Sequence, residues 1–284
     1  DVCLVPGVYD DAYAKAIELR DEKGYTFVHP FDDENVIAGQ GTIGLEILEQ
    51  VDDIDAVVVP IGGGGLISGV AFALKSLNPK IKVYGVQAAG AASMVESLNK
   101  HERLCLPSVS TIADGICVKE PGVLTYDACC KYVDDVVTVT EDEICAAILQ
   151  LLEKEKVVAE GAGATGVAAV MFNKVPVKGK KVVCIVSGGN IDVTILSRVV
   201  RRGLAKGGRI TTFNVVLDDK PGTLVSVASI ISREGANITS VYHDRNNYIE
   251  KVNACVLRVI CETRNEEHIG TIKKALENEG FVLV

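Results

Sequence analysis

Four consecutive glycines are the residues in this chain best suited to chemistry. Gly62, Gly63, Gly64 and Gly65 follow a short apolar run at 57–61 and lead through Leu66 into a helical pattern at 67–77. Successive glycines cost chain entropy on folding. They make sense where backbone must come close to a ligand. Successive N–H groups opening a helix cradle a phosphate, and the helix dipole favours its negative charge. The competing reading is a flexible strand-to-helix turn, which does not require so many glycines. Two other phosphate motifs fail. A G-x-G-x-x-G/A fingerprint read from Gly62 or Gly63 would end on Ile67 or Ser68, and no lysine follows these glycines as a P-loop needs. The expected ligand is another phosphorylated compound.

A second apolar run, 182–186, ends in Ser187-Gly188-Gly189-Asn190-Ile191-Asp192. In open α/β sheets, ligands sit at the carboxyl ends of strands. Ser187 offers its hydroxyl either to a ligand or to a helix start, and the residues alone leave both open.

These segments need a frame. Short apolar runs bounded by Gly, Pro, Asn or Asp read as strands at 25–28, 56–60, 82–87, 135–140 and 181–186. Between them lie helical patterns. Thr140 and Glu143 form a capping box ahead of Ile144, Ile148, Leu151 and Leu152 at helical spacing. Alternating strands and helices predict an α/β fold: a mostly parallel sheet with helices on both faces. The pattern changes near Gly203, and Gly207-Gly208 reads as a linker. Beyond it the order is strand 210–217, turn 218–222, helix 223–234, strand 237–244, strand 252–262, helix 266–279 and a short strand 281–284. That is a ferredoxin-like βαββαβ unit.

Composition excludes several classes of function. The chain has 284 residues, 48% hydrophobic and 24% charged, with a net charge of −9. No basic stripe marks a nucleic-acid binder, and no apolar run approaches the length of a membrane span. The nine cysteines form no CxxC pair. Cys184, Cys255 and Cys261 lie in apolar runs, which reads as buried thiols in a reducing cytoplasm, and the neighbours Cys129 and Cys130 are not expected to bridge. His101, His243 and His268 have no ligand partner at sequence spacing and read as surface or helix-end histidines. His29 reads as strand-end packing. The first residue is Asp1 rather than Met, and the expectation is that an N-terminal part is absent from this sequence.

Six motifs occur in order: His29-Pro30-Phe31-Asp32-Asp33, Val36-Ile37-Ala38-Gly39-Gln40-Gly41-Thr42, the tetraglycine run, Ile112-Ala113-Asp114-Gly115, Glu160-Gly161-Ala162-Gly163-Ala164 and Ser187-Gly188-Gly189-Asn190. Together they resemble the serine/threonine dehydratases, which depend on pyridoxal phosphate (PLP) and have PLP fold type II, the tryptophan synthase beta-like fold. The stretch 29–33 is more similar to the threonine dehydratases than to serine racemase. The resemblance implies a threonine ammonia-lyase that converts L-threonine to 2-oxobutanoate and ammonia by β-elimination. Serine dehydratase and serine racemase are the alternatives within the group. It implies that Gly62, Gly63, Gly64, Gly65 and Leu66 hold the PLP phosphate and that Ser187 hydrogen-bonds at the pyridine nitrogen. A neutral hydroxyl there does not force that nitrogen to be protonated, so the implied electron sink is weaker than in aspartate-partnered PLP enzymes but still adequate for β-elimination. Gly115 and Glu160 are implied to lie near the ring. For Glu160 a second reading is a carboxylate facing a helix N-terminus.

The family's Schiff-base lysine lies in an S-F-K-x-R-G-like segment, and an S-x-G-N-H-like loop grips the substrate carboxylate. Neither pattern occurs in this chain. The resemblance therefore implies no catalytic residue here, and an inactive fragment that only senses amino acids is a further reading. The Glu and Asp that bind metal in serine racemase-like members match Gln87 and Ser93, so no Mg²⁺ or Ca²⁺ is expected.

Near the end, Asp219-Lys220-Pro221-Gly222-Thr223-Leu224 and Gly235-Ala236-Asn237-Ile238 resemble an ACT regulatory domain. That implies an amino-acid effector recognised through Asp219, Gly222, Asn237 and Ile238, and a homo-oligomer, dimer or tetramer. The competing reading is a structural module that only dimerises. The implied domains are a small-domain remnant at 1–30, a large PLP-binding domain at 31–205 and the ACT domain at 209–284.

Overall fold

The computed structural model describes residues 1–7, 9–244 and 254–284. They divide into two compact units, Asp1–Asp192 and Val193–Val284. The first unit runs α1 (Tyr9–Lys23), α2 (Glu34–Gln50), β1 (Ala56–Pro60), α3 (Gly65–Leu77), β2 (Lys82–Ala88), α4 (Ser93–Lys100), α5 (Val123–Tyr132), β3 (Asp135–Val139), α6 (Glu141–Gln150), α7 (Gly161–Met171) and β4 (Val182–Cys184).

Its strands are parallel, in the order β3-β2-β1-β4. Every residue of β1 is buried. The pleat sends Val57 and Val59 to one face and Val58 to the other. Val57 and Val59 join Ile67, Val70 and Leu74 of α3 in the core. Val58 meets α7: a methyl placed on Gly166 would lie 3.6 Å from the Val58 side chain. With helices on both faces, β1 has no solvent side. It therefore reads as a continuous apolar run rather than an alternating one. The capping box opens α6. Thr140 Oγ1 accepts the Glu143 N–H at 3.3 Å, and the Glu143 carboxylate accepts the Thr140 N–H at 2.8 Å.

One expected strand does not form. Residues 25–28 are irregular, and Tyr25 and Val28 are 56% and 64% exposed. Strand-forming side chains were present, but no neighbouring strand pairs with this segment among the described residues. Phe27 packs edge-on against Tyr13 instead, with ring centroids 5.5 Å apart. The run at 181–186 is a strand only over Val182–Cys184.

The second unit runs α8 (Val193–Lys206), β5 (Ile210–Asp218), α9 (Thr223–Arg233), β6 (Asn237–Asp244), β7 (Ala254–Glu262), α10 (Glu266–Asn278) and β8 (Val282–Leu283). The sequence reading placed the α8 segment with the first domain. The structure packs it on β5. From β5 onward the order is βαββαβ, and the antiparallel sheet is arranged β6-β7-β5-β8. Phe213, Val215 and Leu217 alternate inward from β5 and meet Val227, Ile230 and Ile231 of α9 and Ile269, Ile272 and Leu276 of α10. Val252 and Asn253, expected to begin the strand at β7, lie outside the described residues. No described helix is long and apolar enough to cross a membrane.

Candidate active site

The tetraglycine run forms the turn between β1 and α3. Gly64 is the residue before the helix and adopts φ +104. A side chain there would be strained, and its Cβ would come within 2.8 Å of Thr125 Cβ and 3.0 Å of Met94 Cε. The backbone N–H groups of Gly62, Gly63, Gly64, Gly65 and Leu66 donate to no protein acceptor among the described residues. A helix opened by unpaired donors attracts an anion, and the dipole of α3 adds to that attraction.

The turn is held from behind. The Gly63 carbonyl accepts the Thr125 hydroxyl at 2.6 Å and the Gly122 N–H at 3.2 Å. A peptide plane points its carbonyl and its N–H in opposite directions. Fixing the Gly63 carbonyl towards α5 therefore turns the Gly64 N–H away from α5. The start of α5 is itself held by Asp32, whose carboxylate accepts the N–H groups of Val123 at 3.0 Å, Leu124 at 2.9 Å and Thr125 at 3.3 Å. Next to it, Asp33 caps α2 through the Asn35 and Val36 N–H groups. His29 is not at a strand end. Its Nδ1 accepts the N–H groups of Phe31 (3.3 Å) and Asp32 (2.8 Å), which ties the turn together. Burial pushes the His29 imidazole below its ordinary pKa, against the opposing pull of the Asp32 and Asp33 carboxylates.

Above the glycines lies a cavity of about 340 Å³, within the range of small-molecule sites. Gly62, Gly63, Gly64, Gly65, Leu66, Gly115, Glu160 and Ser187 all line it. Phe31, Asp114 and Cys117 line it as well. Reading of the sequence did not single these out as site residues. Phe31 and Asp114 lay inside quoted motifs, and that was their only signal. No lysine, arginine or histidine is among the described lining residues.

Three motifs far apart in sequence pack on one another here. A methyl on Gly163 would come within 2.8 Å of the Gly188 carbonyl oxygen and 3.0 Å of its nitrogen, so only glycine lets α7 approach the 187–188 backbone. Glu160 precedes α7 but its side chain does not cap that helix. Its carboxylate accepts the Asn190 N–H at 3.2 Å, and its own N–H donates to the Gly188 carbonyl at 3.1 Å. Its Oε1 also lies 3.3 Å from where a Cβ on Gly115 would sit. Ser187 is exposed in the loop after β4.

Gln87 and Ser93 are fully buried and committed to internal bonds. Gln87 accepts the Val95 N–H at 3.0 Å, and Ser93 donates to the Val118 carbonyl at 3.0 Å. In the second unit the four implied regulatory residues separate. Asp219 and Gly222 lie in the turn after β5. Asn237 and Ile238 begin β6 at the opposite end of the sheet, level with Ile210 through their β7 partners. Asn237 donates to the Glu262 carboxylate at 2.8 Å. One copy of the unit therefore does not gather all four around one ligand. His268 is a helix-end residue but not a surface one: it is buried, its Nδ1 accepts the Arg264 N–H at 3.1 Å, and its Nε2 lies 2.8 Å from the Glu234 carbonyl. Cys255 and Cys261 are buried and Cys184 partly so. Burial pushes the Cys184 and Cys261 thiols up to about 11.

The chain belongs to the pyridoxal-phosphate dependent enzyme family, whose model matches residues 1–188. The chain is 48% identical over 280 residues to an L-threonine ammonia-lyase of Thermotoga maritima, covering 99% of this chain and 70% of that protein. It is 44% identical over 283 residues to an L-threonine ammonia-lyase of Geobacter sulfurreducens, again covering 70% of the relative. Among solved structures it is similar to the processed form of threonine deaminase isoform 2 from Solanum lycopersicum, with a TM-score of 0.67 and 41% identity. That match covers 71% of this chain and 56% of the other. The cofactor of the family is PLP, and the residues present fit it. A row of unengaged N–H donors at a helix start suits a phosphate, and the cavity beside it has room for a ring.

Proposed function

We propose that this chain is the cofactor-holding part of a threonine ammonia-lyase, which releases 2-oxobutanoate and ammonia from L-threonine. The observation that carries the reading is the row of N–H groups from Gly62 to Leu66, without protein acceptors, on the cavity shared with Ser187 and Glu160. The whole-chain identity to two L-threonine ammonia-lyases supports the choice of substrate. PLP, when bound, supplies an electron sink for the α-carbon of an amino acid. In this reading the glycine N–H groups and Leu66 bind its phosphate, with the α3 dipole in place of a basic side chain. Ser187 meets the pyridine nitrogen with a hydroxyl. Glu160, held by the Asn190 N–H, and Gly115 border the ring. Phe31, Ile116 and Val118 pack beside the glycines and give the cavity an apolar lining.

The described lining offers carboxylates, a thiol and a hydroxyl, but no amine. The catalytic lysine is therefore proposed to lie outside this lining, and residues 1–284 by themselves to hold PLP without turning threonine over. The test is release of 2-oxobutanoate from L-threonine by the natively expressed protein, compared with the purified chain. Release by the native protein alone supports both parts. Release by the purified chain overturns the second part. D-serine formed from L-serine, with no 2-oxobutanoate, would make the protein a racemase.

We read the C-terminal unit as an amino-acid-sensing ACT domain. The βαββαβ order and the turn at Asp219 to Gly222, where α9 starts without a side-chain cap, support this reading. Because Asp219 and Asn237 lie at opposite ends of the sheet, an effector touching both has to bridge two copies. Effector binding that persists in a monomeric variant would count against that arrangement.

A further inference from the structure

Three metal-ligating side chains meet at one end of the C-terminal sheet. Asp219 follows β5, His243 is near the end of β6, and Cys255 is near the start of β7. Residues opposite each other in an antiparallel sheet share a face, and so do residues two apart on one strand. His243 is opposite Leu257, and Cys255 is two residues from Leu257. His243 and Cys255 therefore project from the same face. His243 has no ligand partner at sequence spacing, because the fold itself brings its neighbours to it.

His243 Nε2 lies 2.8 Å from Cys255 Sγ and 3.9 Å from Asp219 Oδ1. All three donor atoms lie within 4.8 Å of one another. The sulfur and the carboxylate approach the same ring nitrogen. A nucleophilic relay would set the thiol on one imidazole nitrogen and the carboxylate on the other. Cys255 is also buried, out of reach of a substrate. Convergence on a single nitrogen is instead how ligands of one ion stand. With Zn–S near 2.3 Å and Zn–N and Zn–O near 2.0–2.2 Å, tetrahedral ligand atoms are roughly 3.3–3.6 Å apart. Opening the sulfur–nitrogen gap and drawing Asp219 in, by movements on the order of an ångström, puts all three around one ion.

We propose that Asp219, His243 and Cys255 form a binding site for a divalent transition ion, with zinc the best match. One thiolate, one imidazole and one carboxylate are the ligand types zinc takes, and three protein ligands leave its fourth position for water. On binding, the Cys255 thiol releases its proton to solvent as the sulfur–metal bond forms. The resulting thiolate and the Asp219 carboxylate balance the charge of the ion. The site clamps the turn after β5 to the ends of β6 and β7.

The test uses the purified chain, stripped with chelator, reloaded with zinc alone and dialysed. One zinc per chain and a saturable rise in unfolding temperature are expected, and both are lost in Cys255→Ser and His243→Gln. With cobalt in place of zinc, a sulfur-to-metal charge-transfer band appears in the wild type and disappears in Cys255→Ser. His243 is partly exposed, so His243→Gln reports on the site even if Cys255→Ser unfolds, with circular dichroism confirming its fold. Absence of stoichiometric zinc overturns the proposal. So does zinc or a cobalt band that survives in folded His243→Gln, since exposed thiols such as Cys3 and Cys105 would then be the binders.

Discussion

Replacing Thr125 by valine removes one hydroxyl and leaves the side-chain shape almost unchanged. The hydroxyl is fully buried and donates to the Gly63 carbonyl at 2.6 Å. That carbonyl keeps the Gly122 N–H at 3.2 Å, so it is not left without a partner. The stability cost therefore falls at the lower end for a lost buried hydrogen bond, about 1 kcal/mol. For a protein of this size that lowers Tm by roughly 2–4 °C. The effect on the cofactor is larger. With its carbonyl held by one bond instead of two, the Gly63–Gly64 peptide plane rotates, and the Gly64 N–H leaves its position at the cradle. A hydrogen bond to a charged group contributes about 1.5–3 kcal/mol, so PLP binding weakens roughly 10–100-fold. Pyridoxal, which has no phosphate, loses nothing. Fluorescence titration of the purified wild-type and variant chains with both compounds measures the difference. Equal weakening towards PLP and pyridoxal, or unchanged binding of PLP, would refute the reasoning.

Asp32→Ala removes the acceptor for three N–H groups at the start of α5. It is expected to cost about 1–2 kcal/mol in urea unfolding, as for a lost helix cap, with the same selective loss of PLP over pyridoxal. Gly64→Ala combines a positive φ with a Cβ 2.8 Å from Thr125, and is expected to destabilise by at least about 2 kcal/mol, read as a shifted unfolding midpoint. His29 is half-buried with its pKa lowered from 6.5, and Nδ1 is an acceptor only when unprotonated. Its contribution to stability is complete above pH 6.5 and is lost as pH falls through the lower folded value. His29→Gln flattens that acid-side slope in urea midpoints measured on either side of pH 6.5, and an unaltered slope would exclude the mechanism. Burial raises the Asp134 carboxyl, but hydrogen bonds from Lys75, Lys82 and the Val83 N–H outweigh it and hold the group below 3.8. Its contribution is present above that value and is lost at more acid pH, a loss that Asp134→Asn removes from the thermal unfolding profile.

Local signals were legible where local physics decides the outcome. The buried run 57–61, the glycines after it and the Thr140–Glu143 capping box each contain their own structural reason within a few residues. The order of elements from 210 onward followed from alternation and turn residues in the same way. Residues 25–28 show the limit: aromatic and β-branched side chains favour a strand, but a strand needs a partner and this segment has none among the described residues. The support of the site was hidden for a related reason. Asp32 serves residues 123–125, and Thr125 serves Gly63, across spans that no periodicity reveals. Glu160 looked equally like a helix-end carboxylate or a site residue. Only the Asn190 contact shows that its side chain turns away from the helix it precedes. His243 read as isolated because Cys255 and Asp219 reach it only through the strand register.

Whether the N–H groups at the start of α3 hold the phosphate of PLP is decided most directly by a crystal structure of the protein grown with PLP. The expected result places phosphate oxygens within hydrogen-bond distance of the N–H groups of Gly63, Gly64, Gly65 and Leu66, with the pyridine nitrogen beside the Ser187 hydroxyl. PLP bound elsewhere, or its phosphate held by lysine or arginine side chains while those N–H groups stay unengaged, would contradict it.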